Sequence, residues 1–335
     1  MPSFGNEIRM AVVLTTIRDI TAYLQTEQAF FGAADVIVVG DVATPRISEK
    51  TSATFISIED QRDLPFRLAK LLPERHYCRK NIGYLIALSR GANVIYDVDD
   101  DTWCLPDWTC PDFGCGRSTS SDGEFLNIHR LFATEISWPR GFPLPFIHTA
   151  EPTLRECSRR QIGVWQGLVA HDPDVDAIFR LTRPALIFDR ACPPVSIDQG
   201  RFCPFNSQST FWCASAFDLM YLPTTVSFRF TDVLRSYVTQ RVLWERDLHV
   251  GFAAPWSHQE RNQHDLMEDF IQEVEMHIAL PRLPQLLQTT ADLKQAYAAL
   301  REHGIVAARE LEGVAAWCDD VAMARELGEQ CSGSC

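Results

Sequence analysis

Residues Asn93–Asp101 read NVIYDVDDD: a short apolar run that passes directly into four carboxylates within five residues. The apolar half has the length and β-branched content of a buried strand. The acidic half, Asp97, Asp99, Asp100 and Asp101, is self-repelling, and a fold keeps such a group only with compensation. A solvated acidic turn is the plain alternative. The compensation that suits oxygen ligands at a strand end is a divalent cation, Mg²⁺ or Mn²⁺. In open α/β sheets ligands gather at the carboxyl ends of strands, and a carboxylate-held cation there can bridge a diphosphate. That is the arrangement of nucleotide-sugar transferases.

Working outward, Tyr77–Ser89 carries Ile82, Leu85 and Ile86 at helical spacing, and Gly91 stops it as a C′ glycine does. Further upstream, MAVVLT (Met10–Thr15), DVIVV (Asp35–Val39) and Thr54–Ser57 read as strands, with a helix over Ile20–Phe31. This alternation predicts a mostly parallel, Rossmann-like central sheet covered on both faces. No GxGxxG follows the first strand and no P-loop is present, which disfavours a dinucleotide dehydrogenase and a P-loop NTPase. Residues 101–124 read as a long loop rich in Gly, Ser and Cys. Ala177–Leu181, Thr210–Ala214 and His249–Ala253 read as strands, and a helix opens at Thr231-Asp232 and runs to about Glu245. From Asp265 the composition turns to helix formers, with Leu293, Tyr297 and Leu300 on one face and a second helix over Val306–Leu327. The organisation expected is therefore a core over residues 1–264 and a C-terminal helical extension over 265–335.

The 335 residues hold 31 Lys and Arg against 44 Asp and Glu, for a net charge of −13. So acidic a chain is a poor general binder of nucleic acid or anionic membrane, and an anionic ligand would need a local cationic pocket or a metal ion. No apolar run approaches the roughly 20 residues of a membrane span, so the sequence as it stands reads as soluble unless it is a piece of something longer. Eleven cysteines without a CxxC pair disfavour structural zinc. Most read as buried thiols, while Cys104, Cys110 and Cys115 and the tail pair Cys331 and Cys335 leave local disulfides open. A cytoplasmic location is preferred, and a lumenal one follows if those disulfides form. Oligomeric state is not readable.

Seven segments carry a further signal: YCRKNIGYL (Tyr77–Leu85), VIYDVDDDT (Val94–Thr102), WPRGFPL (Trp138–Leu144), DPDVDAIFRLTR (Asp172–Arg183), PFNSQSTFW (Pro204–Trp212), the long block Tyr221–Trp244 and PWSHQERNQHD (Pro255–Asp265). In this order they resemble the STELLO-like glycosyltransferase family, and the RKNIGY and DDD pair is distantly similar to reversibly glycosylated polypeptides, the UDP-arabinopyranose mutases. The resemblance implies a GT-A-like nucleotide-diphospho-sugar transferase fold, a donor that is a nucleoside-diphosphate sugar, UDP being expected, and a glycan or other hydroxyl acceptor. Plant members are membrane-anchored Golgi proteins linked to cellulose synthesis; this sequence shows no such span, so no plant location is carried over.

The same resemblance distributes roles. Thr15, Thr16 and Ile17 fall where such a fold holds the nucleoside, and Asp41 is placed to accept from base or ribose, with a turn cap as its other reading. Arg79, Lys80 and Asn81 precede the acidic strand, their cations able to neutralise diphosphate, with an exposed helix face as the bland alternative. Asp99 and Asp101 are expected as donor and metal contacts, whereas Asp100 points the other way if the strand continues. His264 is the expected further metal ligand, with His258 and then His249 behind it, and Arg261 is a second diphosphate contact. Asp232, opening its helix, is the expected base of an inverting transfer; Asp174 and Asp176 are alternative acids, and a plain helix cap is the competing reading. Trp138, Arg140, Asn206, Ser207 and Gln208 are expected to line the sugar or acceptor site. A mutase without a separate acceptor, and a non-catalytic nucleotide-sugar-binding scaffold, are the rival functions.

Overall fold

The computed structural model describes residues 8–45, 51–260 and 265–332. Among them, the amino-terminal part alternates strand and helix as its sequence demands. Strands β1 (Met10–Thr16), β2 (Asp35–Gly40), β3 (Thr54–Ile56) and β4 (Val94–Val98) pair in parallel in the order β3-β2-β1-β4. Helices α1 (Thr21–Phe31), α2 (Ile58–Asp63) and α3 (Lys80–Ser89) connect them. β1 is apolar without alternation because both of its faces are covered. Val13, with Ile37 and Val39, packs under α3, while Val12, Leu14, Val36 and Val38 pack with Tyr23, Leu24 and Phe31 of α1.

The expectation of a mostly parallel sheet does not hold beyond β4. The next strand is β9 (Ser209–Cys213), antiparallel to β4, followed by the long β7 (Thr153–Ala170), β10 (His249–Gln259) and β5 (Thr102–Cys104). β6 (Gly114–Ser120) and β8 (Val195–Ile197) pair with the first half of β7 and with β10, forming a side leaf. The described sheet has ten strands, and its fold is mixed α/β. The segment 101–124, expected as loop, supplies both β5 and β6. Their partners lie more than 30 residues away in sequence, and strands as short as TWC or as polar as GCGRSTS carry no apolar alternation of their own. β7 was illegible for the same reason in its first half: Thr153–Gln161 is largely exposed and polar, and only Ile162–Val169 is buried throughout.

A second correction concerns Ala177–Leu181, which is helical as α5 (Ala177–Thr182) and not a strand. Asp176 caps it by accepting from the Phe179 amide at 2.7 Å, and that local bond decides between helix and strand in a short apolar run. The remaining helices are α4 (His129–Phe132), α6 (Thr231–Glu245), α7 (Leu266–Ala279), α8 (Leu283–Leu287), α9 (Leu293–Glu302) and α10 (Glu310–Ser332). α9 and α10 pack on each other, and α10 lies along α3. Polar contacts fix this tail: Asp320 accepts from the Arg67 and Leu68 amides, and Glu310 accepts from the Tyr221 hydroxyl at 2.6 Å. The nine described cysteines, Cys104, Cys110 and Cys115 among them, are free thiols, and the side chains of Cys331 and Cys335 lie outside the described residues. No described helix is long and apolar enough to cross a membrane.

The approach of α3 to the sheet depends on one missing side chain. A Cβ at Gly83 would come 2.5 Å from Val13 and 3.0 Å from Val39, so the helix can reach this close only without one. Gly83→Ala is expected to lower stability by about 1–3 kcal/mol through overpacking, despite the better helix propensity of alanine. Urea unfolding at constant slope checks this; a variant as stable as the parent would show that α3 is free to move off the sheet.

Candidate functional site

The carboxyl ends of β1 and β4, the turn that precedes β9, and the first turn of α6 meet at one edge of the sheet, and the four carboxylates of NVIYDVDDD divide their work there. Asp97 is still within β4 and wholly buried. It accepts from both terminal nitrogens of Arg235 on α6 at 3.1 Å, and its other oxygen lies 2.8 Å from the Lys80 ammonium. Arg235 also lies over the Trp212 ring, 5.0 Å from its centroid. Asp99, two residues on and on the same face, meets Lys80 at 3.0 Å, but its side chain is 40% exposed. Asp100 points away, accepting from the Thr16 hydroxyl at 2.6 Å and from Arg18 at 2.9 Å. Asp101 accepts from Gln259 at 3.1 Å.

Electrostatics separates the accessible carboxylates from the rest. Burial, reinforced by neighbouring Asp101 and Asp97, lifts the Asp99 carboxyl to about 7 against the opposing pull of Lys80. Burial also raises Asp101. For Lys80, burial disfavours the charge, but Asp97 and Asp99 overrule it and hold the ammonium above its ordinary range. Two carboxylates that resist ionisation side by side at a solvent-reached strand end are a donor set suited to a hard divalent cation. His258, on β10, is the nearest expected nitrogen ligand by topology, since its strand pairs with β5 just after the acidic run. Its ring lies tilted against His171 with centroids 4.9 Å apart, its Nδ1 is buried with no hydrogen-bond partner, and burial lowers its pKa. Among the described residues no three His, Cys, Asp or Glu side chains form a ready-made cluster. His264 and Arg261, assigned above as metal and diphosphate contacts, lie outside the described residues.

A second charged group adjoins the first through the segment Asn206–Gln208. The Ser207 carbonyl accepts from Lys80 at 3.1 Å, while its amide donates to Asp232 at 3.3 Å. Arg140 then grips Asp232 through both terminal nitrogens, at 3.0 and 2.9 Å, and Asp174 through Nε at 2.9 Å. Asn206 donates to Asp174 at 2.8 Å. Burial would raise the Asp174 carboxyl, but Arg140 outweighs it and holds it well below the usual carboxylate range. The Arg140 guanidinium itself is disfavoured by burial yet kept firmly charged by the two carboxylates. Gln208 is buried, and its Oε1 has no partner.

The structure thus gathers Thr16, Lys80, Asp99, Asp101, Arg140, Asn206, Ser207, Gln208 and Asp232 about one strand edge. Other expected residues are committed elsewhere. Arg79 is buried and spends its guanidinium on Gln61 at 2.7 Å and on the Leu72 and Pro73 carbonyls, so it does not reach the acidic motif. Asn81 clamps the backbone of Leu222 from both sides at 2.9 Å. Asp41 accepts from the Val42 and His76 amides, the turn-capping role weighed against a ligand contact. Trp138 is buried and donates to Asp176 at 2.6 Å, so its face is not offered to a sugar. Asp176 caps α5, and His249 is bound to the Ile197 carbonyl. Ile17 is 64% exposed at the end of β1, next to Thr16. Sequence reasoning missed Arg18, His171 and Arg235. Arg235 was findable: a cation directly beside the apolar stripe of Leu234, Tyr237, Val238 and Val242 implies a buried counter-ion.

A mixed α/β sheet with accessible carboxylates at the carboxyl end of β4 is compatible with a glycosyltransferase fold. No protein-family model matches the chain. Two curated proteins of Arabidopsis thaliana do: probable glycosyltransferase STELLO1, 30% identical over 323 residues, and probable glycosyltransferase STELLO2, 29% identical over 329. The chain is homologous to both, over 85% and 86% of its own length. It spans 41% of the length of each.

Asp97 is the counter-ion of two buried cations, so its removal leaves both short of charge. Asp97→Ala should cost about 3–5 kcal/mol, well beyond the loss of an exposed ion pair. In an Arg235→Met background the same change should cost less, because one of the stranded cations is gone. Equal losses in the two backgrounds, read by urea unfolding, would show that Arg235 and Asp97 are not coupled.

Proposed function

We propose that the chain is a metal-dependent glycosyltransferase of GT-A type, moving a sugar from a nucleoside-diphosphate donor, UDP being the expected nucleotide, to a hydroxyl acceptor with inversion. The observation that carries this reading is the split of the acidic motif. Asp97 is wholly buried between Arg235 and Lys80 and Asp100 turns away to Thr16 and Arg18, whereas Asp99, which also meets Lys80, and Asp101 lie at the solvent-reached edge with raised carboxyls. The homology to two probable glycosyltransferases supports the transferase class.

In this reading Asp99 and Asp101 hold a Mn²⁺ or Mg²⁺ ion, with His258 or His264 as a further ligand. When bound, the ion neutralises the diphosphate and stabilises it as a leaving group. Lys80 holds Asp99 in place; being fully buried and bound to two carboxylates, it acts on the ligand site by positioning its neighbour. Thr16 and Asp100 fix the end of β1, where the nucleoside would lie. Asn206 and Gln208 present amides beside the cluster for sugar or acceptor hydroxyls.

Asp232 is the proposed base. Both of its oxygens pair with the Arg140 guanidinium, at 3.0 and 2.9 Å, which fixes the carboxylate in place. The arrangement also allows it to accept a proton, because Arg140 retains Asp174 as counter-ion when Asp232 is neutralised. A base paired with an unshared arginine would strand a buried cation at that moment.

Calorimetry with UDP and Mn²⁺ tests the metal site: metal-dependent binding is expected in the parent and lost in both Asp99→Ala and Asp101→Ala. Unchanged binding in the two variants would remove the acidic motif from the site. Asp232→Asn should leave UDP and Mn²⁺ binding intact while lowering turnover of a UDP-sugar, scored as transfer or donor hydrolysis, by about 10²-fold or more. Turnover unaffected by that change would assign the base elsewhere.

A further inference from the structure

Helix α7 is amphipathic with its apolar side outward. Met267, Ile271, Val274 and Ile278 are 55%, 62%, 39% and 66% exposed and form one continuous stripe along it. Their spacing of four, three and four residues places them within an arc of roughly 60° on a 3.6-residue helix, the pattern of a coiled-coil seam. The inner side of the same helix buries Asp269, Glu273, Met276 and Ala279. A helix of this composition, packing for hydrophobic burial alone, would be rotated by half a turn.

Specific polar bonds hold it the other way. Glu273 accepts from Arg229 Nε at 2.7 Å and from the Ala177 amide, at the start of α5, also at 2.7 Å. Arg229 lies 3.9 Å from Asp269 as well, and His277 sits 3.9 Å from Glu273 and 4.0 Å from Asp176. Rotating α7 would strand the Arg229 cation in the interior without its Glu273 and Asp269 partners. The outward stripe is therefore a fixed feature of the surface, and four large apolar side chains in a row on a water-facing helix mark an interaction site.

The edges of the stripe select the occupant. Glu268 and Glu275 flank it along one side, exposed and without a cationic partner among the described residues. Half-buried Phe270 and His277 line the other. An antiparallel second copy would set Glu268 and Glu275 against each other across the seam, a like-charge contact. An anionic lipid surface is repelled by the same carboxylates. We propose that the outer face of α7 docks an amphipathic helix of another protein, one with apolar residues at coiled-coil spacing and Lys or Arg beside them to meet Glu268 and Glu275.

Fluorescence anisotropy with two labelled helical peptides of about 21 residues tests this, both with Leu at the seam positions, one with Lys and one with Glu at the flanking positions. The Lys peptide is expected to bind the parent chain at least roughly tenfold more tightly than the Glu peptide. Ile271→Glu and Ile278→Glu should each abolish that binding; as both add negative charge, loss in them excludes general attraction to an acidic protein. Glu268→Lys with Glu275→Lys should reverse the peptide preference. Circular dichroism melting of the Ile variants, whose side chains are exposed, is expected to match the parent. Failure of the Lys peptide to bind, or binding insensitive to Ile271→Glu, overturns the proposal. So does a dimer in light scattering that Ile271→Glu dissolves, which would give the face to a second copy, or vesicle binding of the parent that the same change removes.

Discussion

A single buried ammonium connects the interior of this protein to its ligand edge. Lys80 has no solvent exposure, and placing a charge there is costly unless every donor is met. Asp97, Asp99 and the Ser207 carbonyl meet it, and each comes from a different constraint: the body of β4, its acidic end, and the turn that leads into β9. Because Asp97 is shared with Arg235, the position of α6 is tied to the same charge. The consequence is that helix α3, strand β4, strand β9 and helix α6 cannot shift independently. The exposed Asp99 carboxylate inherits that rigidity, which is what a metal or diphosphate contact needs from its support.

The parallel half of the sheet was readable in advance because β1, β2 and β4 are buried on both faces and so appear as unbroken apolar runs. The mixed half was hidden, since β5 is a three-residue edge strand and β6 and the first part of β7 are half-exposed, polar strands, all with distant partners. At the site, alternation along a strand was enough to separate Asp100 from Asp97 and Asp99. It could not separate Asp97 from Asp99, which share a face and one ammonium; depth of burial makes the difference, and depth is set by β9 and α6.

Adjacent cations show the same limit. Arg79 and Lys80 are neighbours in RKN, yet Arg79 turns to Gln61 and the Leu72 and Pro73 carbonyls while Lys80 enters the acidic cluster. Successive helical residues diverge by about 100°, so only one member of such a pair can face a given strand end. Asn81, a further step round, is turned to the Leu222 backbone. A motif of three polar residues therefore serves three directions: anchoring the loop after α2, supporting the acidic edge, and fastening the segment before α6.

The two clusters also divide kinds of charge. Around Lys80, two carboxylates share one ammonium and one of them is shared with Arg235; around Arg140, two carboxylates share one guanidinium. A guanidinium offers a planar fork that satisfies both partners by geometry, so Asp174 and Asp232 are each bonded through it, and Asp174 is held low. A point-like ammonium satisfies neither completely, and Asp99 retains an open side and a raised carboxyl. With the two cations exchanged, a guanidinium in place of Lys80 would close Asp99 against incoming ligands, and an ammonium in place of Arg140 would leave Asp232 partly free. The choice of cation at each position thus sets how completely each carboxylate is enclosed, Asp99 with an open side and Asp232 within the guanidinium fork.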